Sequence, residues 1–496
     1  MARASHSKPP PGPVRTGGQG RPEPDVRVAS QTWRRHIDSH EAFSHDSIEH
    51  LSYDWSRVGN PDIAPKPPFK VYLPRNTDDV VRAIVETKQL GQRLRVRSKG
   101  HSSNDLVLEE GGAILLTQTM DRIISVDADH FTATVQGGAI SALVDDHLAP
   151  MGLGLPVVGD HRDITVGGFL SVGGFSASSH RFGMFIDNVL SLVVVGWDGT
   201  VTECSATDNS DTFYSVLAGL GRHGVVTEVT LRVIEIDKYR TIWKNHQVHF
   251  TNLDDYIAGT KPIVEDPGDA RVVRGVWAEF LVGRREVTIG QFSTYHETTQ
   301  SAAHRVRNTA SYGALHSIGL AAGNLPAKVD RVLKFASIGG VLRSPTYGSV
   351  KNIEFFTDKV VDSTVGDPAR WFAVIAPLDA YEELFREQWA LMKRYRDEYA
   401  AFTFLMAYVK SIRSPYLARY DGDRFCELVL YAGVDNDRIT PEILEQLVEE
   451  IDDVVIKFDG YRYMHTPTTK NPEKLAKIDP NLRHAQRRAA AKEGSK

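Results

Sequence analysis

Residues 152–233 read GLGLPVVGDHRDITVGGFLSVGGFSASSHRFGMFIDNVLSLVVVGWDGTVTECSATDNSDTFYSVLAGLGRHGVVTEVTLRV. Within Asp160–Gly174, the pairs Gly167-Gly168 and Gly173-Gly174 stand six residues apart. That pattern is awkward for a plain helix, where each glycine costs about 1 kcal/mol relative to alanine. It suits backbone that must approach a large flat or phosphorylated ligand, and equally a Gly-rich buried turn. VLSLVVVGWDGTVTECS (189–205) predicts a hairpin, because Asp198-Gly199 suits the positive φ of a tight turn. NSDTFYSVLAGLG predicts a helix capped near Asn209 or Ser210, and HGVVTEVTLRVIEI an alternating strand. Gly219-Leu220-Gly221-Arg222-His223-Gly224 matches G-x-G-x-x-G. The dinucleotide fingerprint, however, runs strand, glycine turn, helix. Here the order is helix, turn, strand, so these glycines read as a helix stop and reversal.

Upstream, VYLPRNTDDVVRAIVETKQLG predicts a strand at Val71–Leu73, a cap at Asn76 or Thr77, and a helix ended by Gly91. RLRVRS and GAILLTQ read as strands, IISVDADHFTATVQGGA as a strand–turn–strand unit, and ISALVDDHLAPMG as a helix stopped by Pro150. Short strands mixed with helices, without strict βαβ alternation, predict an α+β domain from about 40 to 235. From about 236 to 450 the texture changes. VVRGVWAEFLV and REVTIGQFSTYHE read as strands, and DPARWFAVIAPLDAYEELFREQWALMKRYRDEYA as helical, which predicts a second α+β domain. After about Arg487 a frayed basic tail is expected.

Composition bounds the class. The 496 residues are 41% hydrophobic and 24% charged, and the net charge of -5 gives no reason to expect nucleic acid or an acidic membrane as partner. No run of about 18 apolar residues predicts a membrane span. Cys204 and Cys426 are the only cysteines, which excludes a disulfide framework or a Cys-rich metal site and reads as two thiols in a reducing, cytoplasmic setting. Residues 1–28 are rich in Pro, Gly and Arg and lack the apolar stretch of a secretory signal, so they read as a disordered tail. The absence of acids before Glu23 suits a transit peptide, but the prolines oppose an amphipathic helix.

In Val96-Arg97-Ser98-Lys99-Gly100-His101-Ser102-Ser103-Asn104 a strand runs into a loop of small residues. Such a loop can turn successive backbone N–H groups onto an anion, with Gly100 free to take positive φ and Lys99 adding charge. A polar surface turn would look the same. Segments 67–120 and 150–235 together resemble the FAD-binding, PCMH-type domain of the vanillyl-alcohol-oxidase superfamily, and within it most closely cytokinin dehydrogenases. The landmarks are Thr165-Val166-Gly167-Gly168, Arg181, Gly183, Asn188-Val189-Leu190, Asp198-Gly199, Cys204-Ser205 and the Gly219–Val226 reversal. The resemblance implies FAD and a two-subdomain FAD-binding domain at 29–235. It also implies an α+β substrate cap at 236–450 and a segment at 451–496 that returns to the FAD domain. By the same resemblance His101 carries the flavin covalently through its 8α-methyl carbon. Ser98, Lys99, Gly100 and Ser102 cradle the pyrophosphate. Thr165, Gly167, Gly168, Ser171 and Gly174 lie along the pyrophosphate and ring, and Val226 lies near the adenine. Asp160 aligns with the substrate-side base, with Asp163 as its rival and a turn cap as its structural alternative.

The sequence also departs from these families. Val157-Val158-Gly159 replaces an expected aromatic residue, and no cysteine stands where relatives make a second flavin bond. The C-terminal His-Trp-Gly-Lys signature of alditol oxidases is absent. Met464-His465-Thr466-Pro467-Thr468-Thr469-Lys470 occupies a comparable place, and Lys470 or His465 could stabilise charge at flavin N1, or the stretch could be a surface loop. Trp277, Glu279, Tyr295 and His296 fall on predicted strands that could face the flavin. The expected reaction is hydride removal from a C–NH or C–OH centre of a small organic molecule, with oxygen or another acceptor taking the electrons. Its rivals are an aldonolactone, alditol or sugar oxidase and a flavin-binding protein without turnover. A monomer or homodimer is expected.

Overall fold

The computed structural model describes residues 50–57, 63–161, 163–237, 242–282, 285–298, 347–349, 369–434 and 438–494. The expected N-terminal tail at 1–28 lies outside the described residues. Among them, no helix is long and apolar enough to cross a membrane.

The first half follows the local signals closely. β1 (Lys70–Tyr72) leads to α1 (Thr77–Gln89), β2 (Leu94–Arg97) and β3 (Ala113–Leu116). These strands form a parallel sheet in the order β1-β3-β2. Asn76 caps α1, its Oδ1 accepting from Asp79 N at 2.9 Å. Val80, Ala83 and Ile84 fix the buried face of α1, and Gly91 (φ 64°) takes the chain out of it.

A five-stranded antiparallel sheet follows, in the order β4-β5-β9-β7-β8. Its strands are β4 (Ile123–Asp127), β5 (Thr132–Gln136), β7 (Val189–Val195), β8 (Val201–Ser205) and β9 (Val225–Arg232). The chain between β5 and β7 contributes α2 (Ser141–Leu148), β6 (Leu153–Gly154), α3 (Val166–Val172) and α4 (Ser179–Phe182). α5 (Ser210–Val216) precedes β9, and β10 (Ile234–Glu235) pairs back on β6. The Asp198-Gly199 hairpin forms as expected, with Gly199 at φ 88°. The α5–turn–β9 order confirms that Gly219–Gly224 is not a strand-to-helix dinucleotide turn.

The Asp160–Gly174 segment differs from the sequence reading. Gly167 and Gly168 lie in the first turn of a short helix rather than in a non-helical loop, with Thr165 Oγ1 accepting from Gly168 N at 3.2 Å. Tertiary packing overrides the poor propensity. Gly167 N donates to Gly137 O at 2.7 Å, and a Cβ at Gly167 would stand 2.8 Å from that oxygen. Gly173 and Gly174, at φ 102° and 75°, stop the helix.

The second half is one eight-stranded sheet, in the order β14-β11-β13-β12-β16-β17-β15-β18. Its elements are β11 (Ile242–Phe250), α6 (Leu253–Glu265), β12 (Val272–Val282), β13 (Arg285–Thr298), β14 (Tyr347–Ser349), β15 (Ala369–Pro377), α7 (Tyr381–Tyr399), β16 (Phe402–Ile412), β17 (Phe425–Val434), α8 (Pro441–Lys457) and β18 (Tyr461–Arg462). The expected helix at 367–400 is corrected in its first part. The apolar run of β15 is a strand paired to both β17 and β18. A short run apolar at every position does not tell a buried strand from a helix. Phe372, Val374, Leu428, Leu430, Leu405 and Val409 pack one sheet face against α6, α7 and α8, burying Trp389 and Ile451.

The C-terminus corrects another expectation. α9 (Pro472–Ile478) leads to α10 (Pro480–Gly494), which reaches past Arg487. Arg488 and Lys492 pair with Asp211 at 2.9 and 2.7 Å, and Arg488 lies over the Tyr214 ring, so this end docks on α5 rather than fraying. Asn481 Nδ2 also donates to Leu217 O at 2.9 Å.

Candidate functional site

One cavity, enclosing about 1660 Å³ of space that is partly open solvent, runs between the two halves. It gathers most of the residues singled out from sequence. Ser98, Lys99, Gly100, His101 and Ser102 line it from the loop after β2. Thr165, Gly167, Gly168 and Ser171 line it from α3, Val226 from β9, and Asp160 from the segment before α3. Leu220, Gly221 and Gly224 line it too, so the rejected fingerprint contributes its turn instead.

Two sequence candidates fall elsewhere. Gly174 sits behind the wall, where a Cβ would lie 2.5 Å from that of Phe185 and 2.9 Å from the Phe169 ring, so packing and its positive φ account for the glycine. Lys470 is outside the cavity: its side chain is 89% exposed and pairs with Glu445 at 3.6 Å. From the C-terminal segment, Tyr463 and His465 line the cavity.

The loop after β2 presents open donors. Gly100 has φ 75°, and the N–H groups of Gly100, His101 and Ser102 donate to no acceptor among the described residues. Ser102 Oγ is buried without a partner. Three successive open amides with an orphaned hydroxyl fit a phosphate or pyrophosphate. Burial lowers the Lys99 ammonium, opposed by Asp163 at 3.5 Å. That ion pair engages Asp163, which does not line the cavity, whereas Asp160 does. Burial brings the Arg97 guanidinium behind the loop down to about 10. Burial, then the charges of His161 and Lys99, hold the His101 imidazole well below its ordinary range, so it is neutral at physiological pH.

The loop is clasped from both termini. Trp55 N donates to Ser102 O at 2.9 Å, and Ser103 N donates to His465 O at 2.9 Å. Asn104 Nδ2 donates to Met464 O. The loop holding His465 is itself fixed by fully buried Arg462, which pairs with Asp452 and donates to Pro467 O at 2.6 Å.

The opposite wall comes from the eight-stranded sheet. Side chains alternate across a strand, so Glu427, Val429 and Tyr431 of β17 share the cavity face with Trp371 of β15 and Lys410 of β16. Lys410 and Glu427 are direct cross-strand partners. Lys410 Nζ lies 3.1 Å from Asp160 Oδ2 and 3.5 Å from Glu427 Oε2. Burial works against the charge of Asp160, but Lys410 and Arg274 outweigh it and hold its carboxyl below the ordinary range. Burial raises the Glu427 carboxyl, with Lys410 opposing. His465 Nε2 accepts from Trp371 Nε1 at 3.2 Å, and burial, then Lys410, brings its imidazole down to about 3.

Lys410, Glu427, Tyr431, Trp371 and Trp55 were not singled out from sequence. For Lys410 and Glu427 the one signal was a charge on an otherwise apolar strand, as in AYVKSI and FCELVL. The strand residues that were singled out do not line the cavity. Trp277 and Glu279 are out of phase with Val276 and Ala278 and point into the helix-covered core. There Glu279 accepts from Trp277 and Trp389 indoles at 3.2 and 2.9 Å. Tyr295 packs with Ala177 and Val272, and His296 bonds Asp269 at 2.8 Å. Both cysteines are free and buried, their thiols raised by burial to about 11 at Cys204 and about 12 at Cys426.

Residues 68–205 match a family described as FAD binding domain. The chain is 37% identical to an uncharacterized oxidoreductase of the fasciation locus of Rhodococcoides fascians, over 38% of this chain and 42% of that protein. It is 30% identical to L-gulonolactone oxidase of Mus musculus, over 34% of this chain and 38% of that protein. It is 30% identical to cytokinin dehydrogenase 3 of Arabidopsis thaliana, over 44% of this chain and 42% of that protein. The chain thus spans about two fifths of the length of these curated relatives.

Proposed function

We propose, from the premise that residues 68–205 form an FAD binding domain, that this protein is an FAD-linked oxidoreductase. It removes hydride from a C–NH or C–OH centre of a small organic substrate and passes the electrons to oxygen or another acceptor. The observation that carries this reading is the single cavity that joins the open amides of Gly100–Ser102 to the Asp160 carboxylate. Bound FAD supplies the hydride acceptor, and the protein supplies orientation and electrostatics.

Each side chain then has a task. The Gly100–Ser102 amides and Lys99 hold the pyrophosphate, and His101 is the covalent anchor. Its neutral imidazole keeps the lone pair that such a bond needs. Asp160, ionised at neutral pH, takes the proton released as hydride leaves the substrate. The aromatic walls of Trp55, Trp371 and Tyr431 suit a planar or apolar substrate of the cytokinin dehydrogenase kind. A second reading, oxidation of a lactone, alditol or sugar, is favoured by Lys410 and Glu427, a donor and an acceptor that could grip hydroxyls.

The first test is the visible spectrum before and after acid precipitation. Flavin that stays with the pellet in the wild type and moves to the supernatant in His101→Ala supports covalent FAD. Flavin wholly in the supernatant sinks the covalent link but keeps the flavoenzyme. Protein that binds no FAD on reconstitution overturns the reading. A panel of amines, polyols and lactones, scored by bleaching of the flavin band, then separates the two substrate classes.

A further inference from the structure

Trp55 belongs to the segment ahead of β1, outside every sheet, yet it makes the closer ring contact with His101. The two rings stack with centroids 4.7 Å apart and planes 19° apart. The other ring near the imidazole, His161, is 5.4 Å away and tilted by 37°. Among the described residues the His101 imidazole makes no hydrogen bond. Its chain neighbours Gly100 and Ser102 are too small to wedge a ring. The orientation of this imidazole therefore rests on its stacked face.

Trp55 is well placed to serve as that support, because it is tied to the loop it covers. Its N–H donates to Ser102 O at 2.9 Å, and Asp54 Oδ2 accepts from Asp105 N at 3.0 Å. Asp54 Oδ1 also accepts from Ser56 N at 2.9 Å, closing the turn that presents the indole. Trp371, on the opposite wall, lies 5.8 Å from the indole ring.

We propose that Trp55 is a positioning residue for flavin attachment: by covering one face of the His101 imidazole it holds that ring in one orientation while the bond forms. The inference rests on the covalent reading of His101 given above. In that step a ring nitrogen of His101 bonds to the 8α-methyl carbon of the flavin as the imidazole N–H and one methyl C–H break. The two protons and the C–H electron pair reduce the isoalloxazine, and dioxygen restores the oxidised ring as it becomes hydrogen peroxide. The imidazole must meet the methyl carbon in line, and a misdirected reacting group costs rate steeply.

The test mixes flavin-free full-length protein with FAD under air and follows the flavin that stays with acid-precipitated protein. Total bound FAD and thermal unfolding are measured alongside. Trp55→Ala is expected to bind FAD to the wild-type extent but attach it at least about tenfold more slowly, and Trp55→Phe to attach it at near the wild-type rate. Trp55→Ala attaching FAD at the wild-type rate overturns the role of Trp55 and leaves the covalent reading standing. Wild-type protein that releases all its flavin into acid overturns both. If Trp55→Ala does not fold, Trp55→Leu, which keeps bulk without a ring face, carries the same expectation, and a wild-type rate there overturns the proposal.

Discussion

The loop after β2 and the paired strands β16 and β17 face each other across one cavity, and they carry their chemistry in different ways. The loop works with backbone: open amides, a positive φ at Gly100, and small neighbours. Such features need particular residue types in a particular order, and they leave a local motif. The strands work with side chains projected from a regular frame. Lys410 and Glu427 meet because β16 and β17 pair in one register, although 17 positions separate them in the chain. A slip of one residue in either strand would turn its charged side chain into the helix-covered core. The lesson is that a backbone motif is written along the chain, while a side-chain wall is written across strands.

That contrast can be broken by experiment. The largest effect is expected at the meeting point of the two walls. Asp160→Asn should lower kcat by about two to four orders of magnitude with FAD content unchanged, read by steady-state kinetics on any substrate found to bleach the flavin. Little change would remove Asp160 as the base. The next effect is on pH. Lys410 holds the Asp160 carboxyl below its ordinary range, so activity should persist to low pH, until Asp160 is protonated. Lys410→Met removes that cation. The Asp160 pKa then rises, and the acid limb of kcat/KM should move upward by about one unit or more. A limb that stays in place or moves down would detach Lys410 from the base.

Smaller effects sharpen the comparison on the far side of the sheet. Glu279→Gln should destabilise the protein by about 1–3 kcal/mol in denaturant unfolding, since this buried carboxylate serves two indoles as well as Lys393 and Arg396. Flavin affinity should not change, and a change would mean that the core face communicates with the cavity. The smallest effect is expected at Lys470. Its exposed side chain makes Lys470→Ala a change of less than about 0.5 kcal/mol, with the flavin spectrum unaltered.

Much of the first half was legible because its signals are local. Asn76 ahead of Thr77, Asp198-Gly199 between apolar runs, and Gly91 after Leu90 each act within a few residues. The Gly pairs were legible as close approach, but what they approach was not. Gly167 packs against Gly137 across a crossing of backbone, and no sequence window contains both partners in their spatial relation. The second half was less legible. β15 is apolar at nearly every position because it is buried on both faces, which erases the period that tells strand from helix. Trp277 and Glu279 were drawn from the wrong face of β12, since alternation gives two faces without saying which is the core.

By itself the sequence determined the turns, caps and reversals of the first half, because these act over a few bonds, and the ordered motifs around His101 and Gly167-Gly168 carried the resemblance to FAD-binding domains. Only the tertiary structure decided that His465 and not Lys470 reaches the cavity, that Trp55 covers His101, and that Lys410 stands between Asp160 and Glu427. Those relations join residues far apart in the chain, and they exist only once strand register and the docking of both termini have fixed which side chains meet.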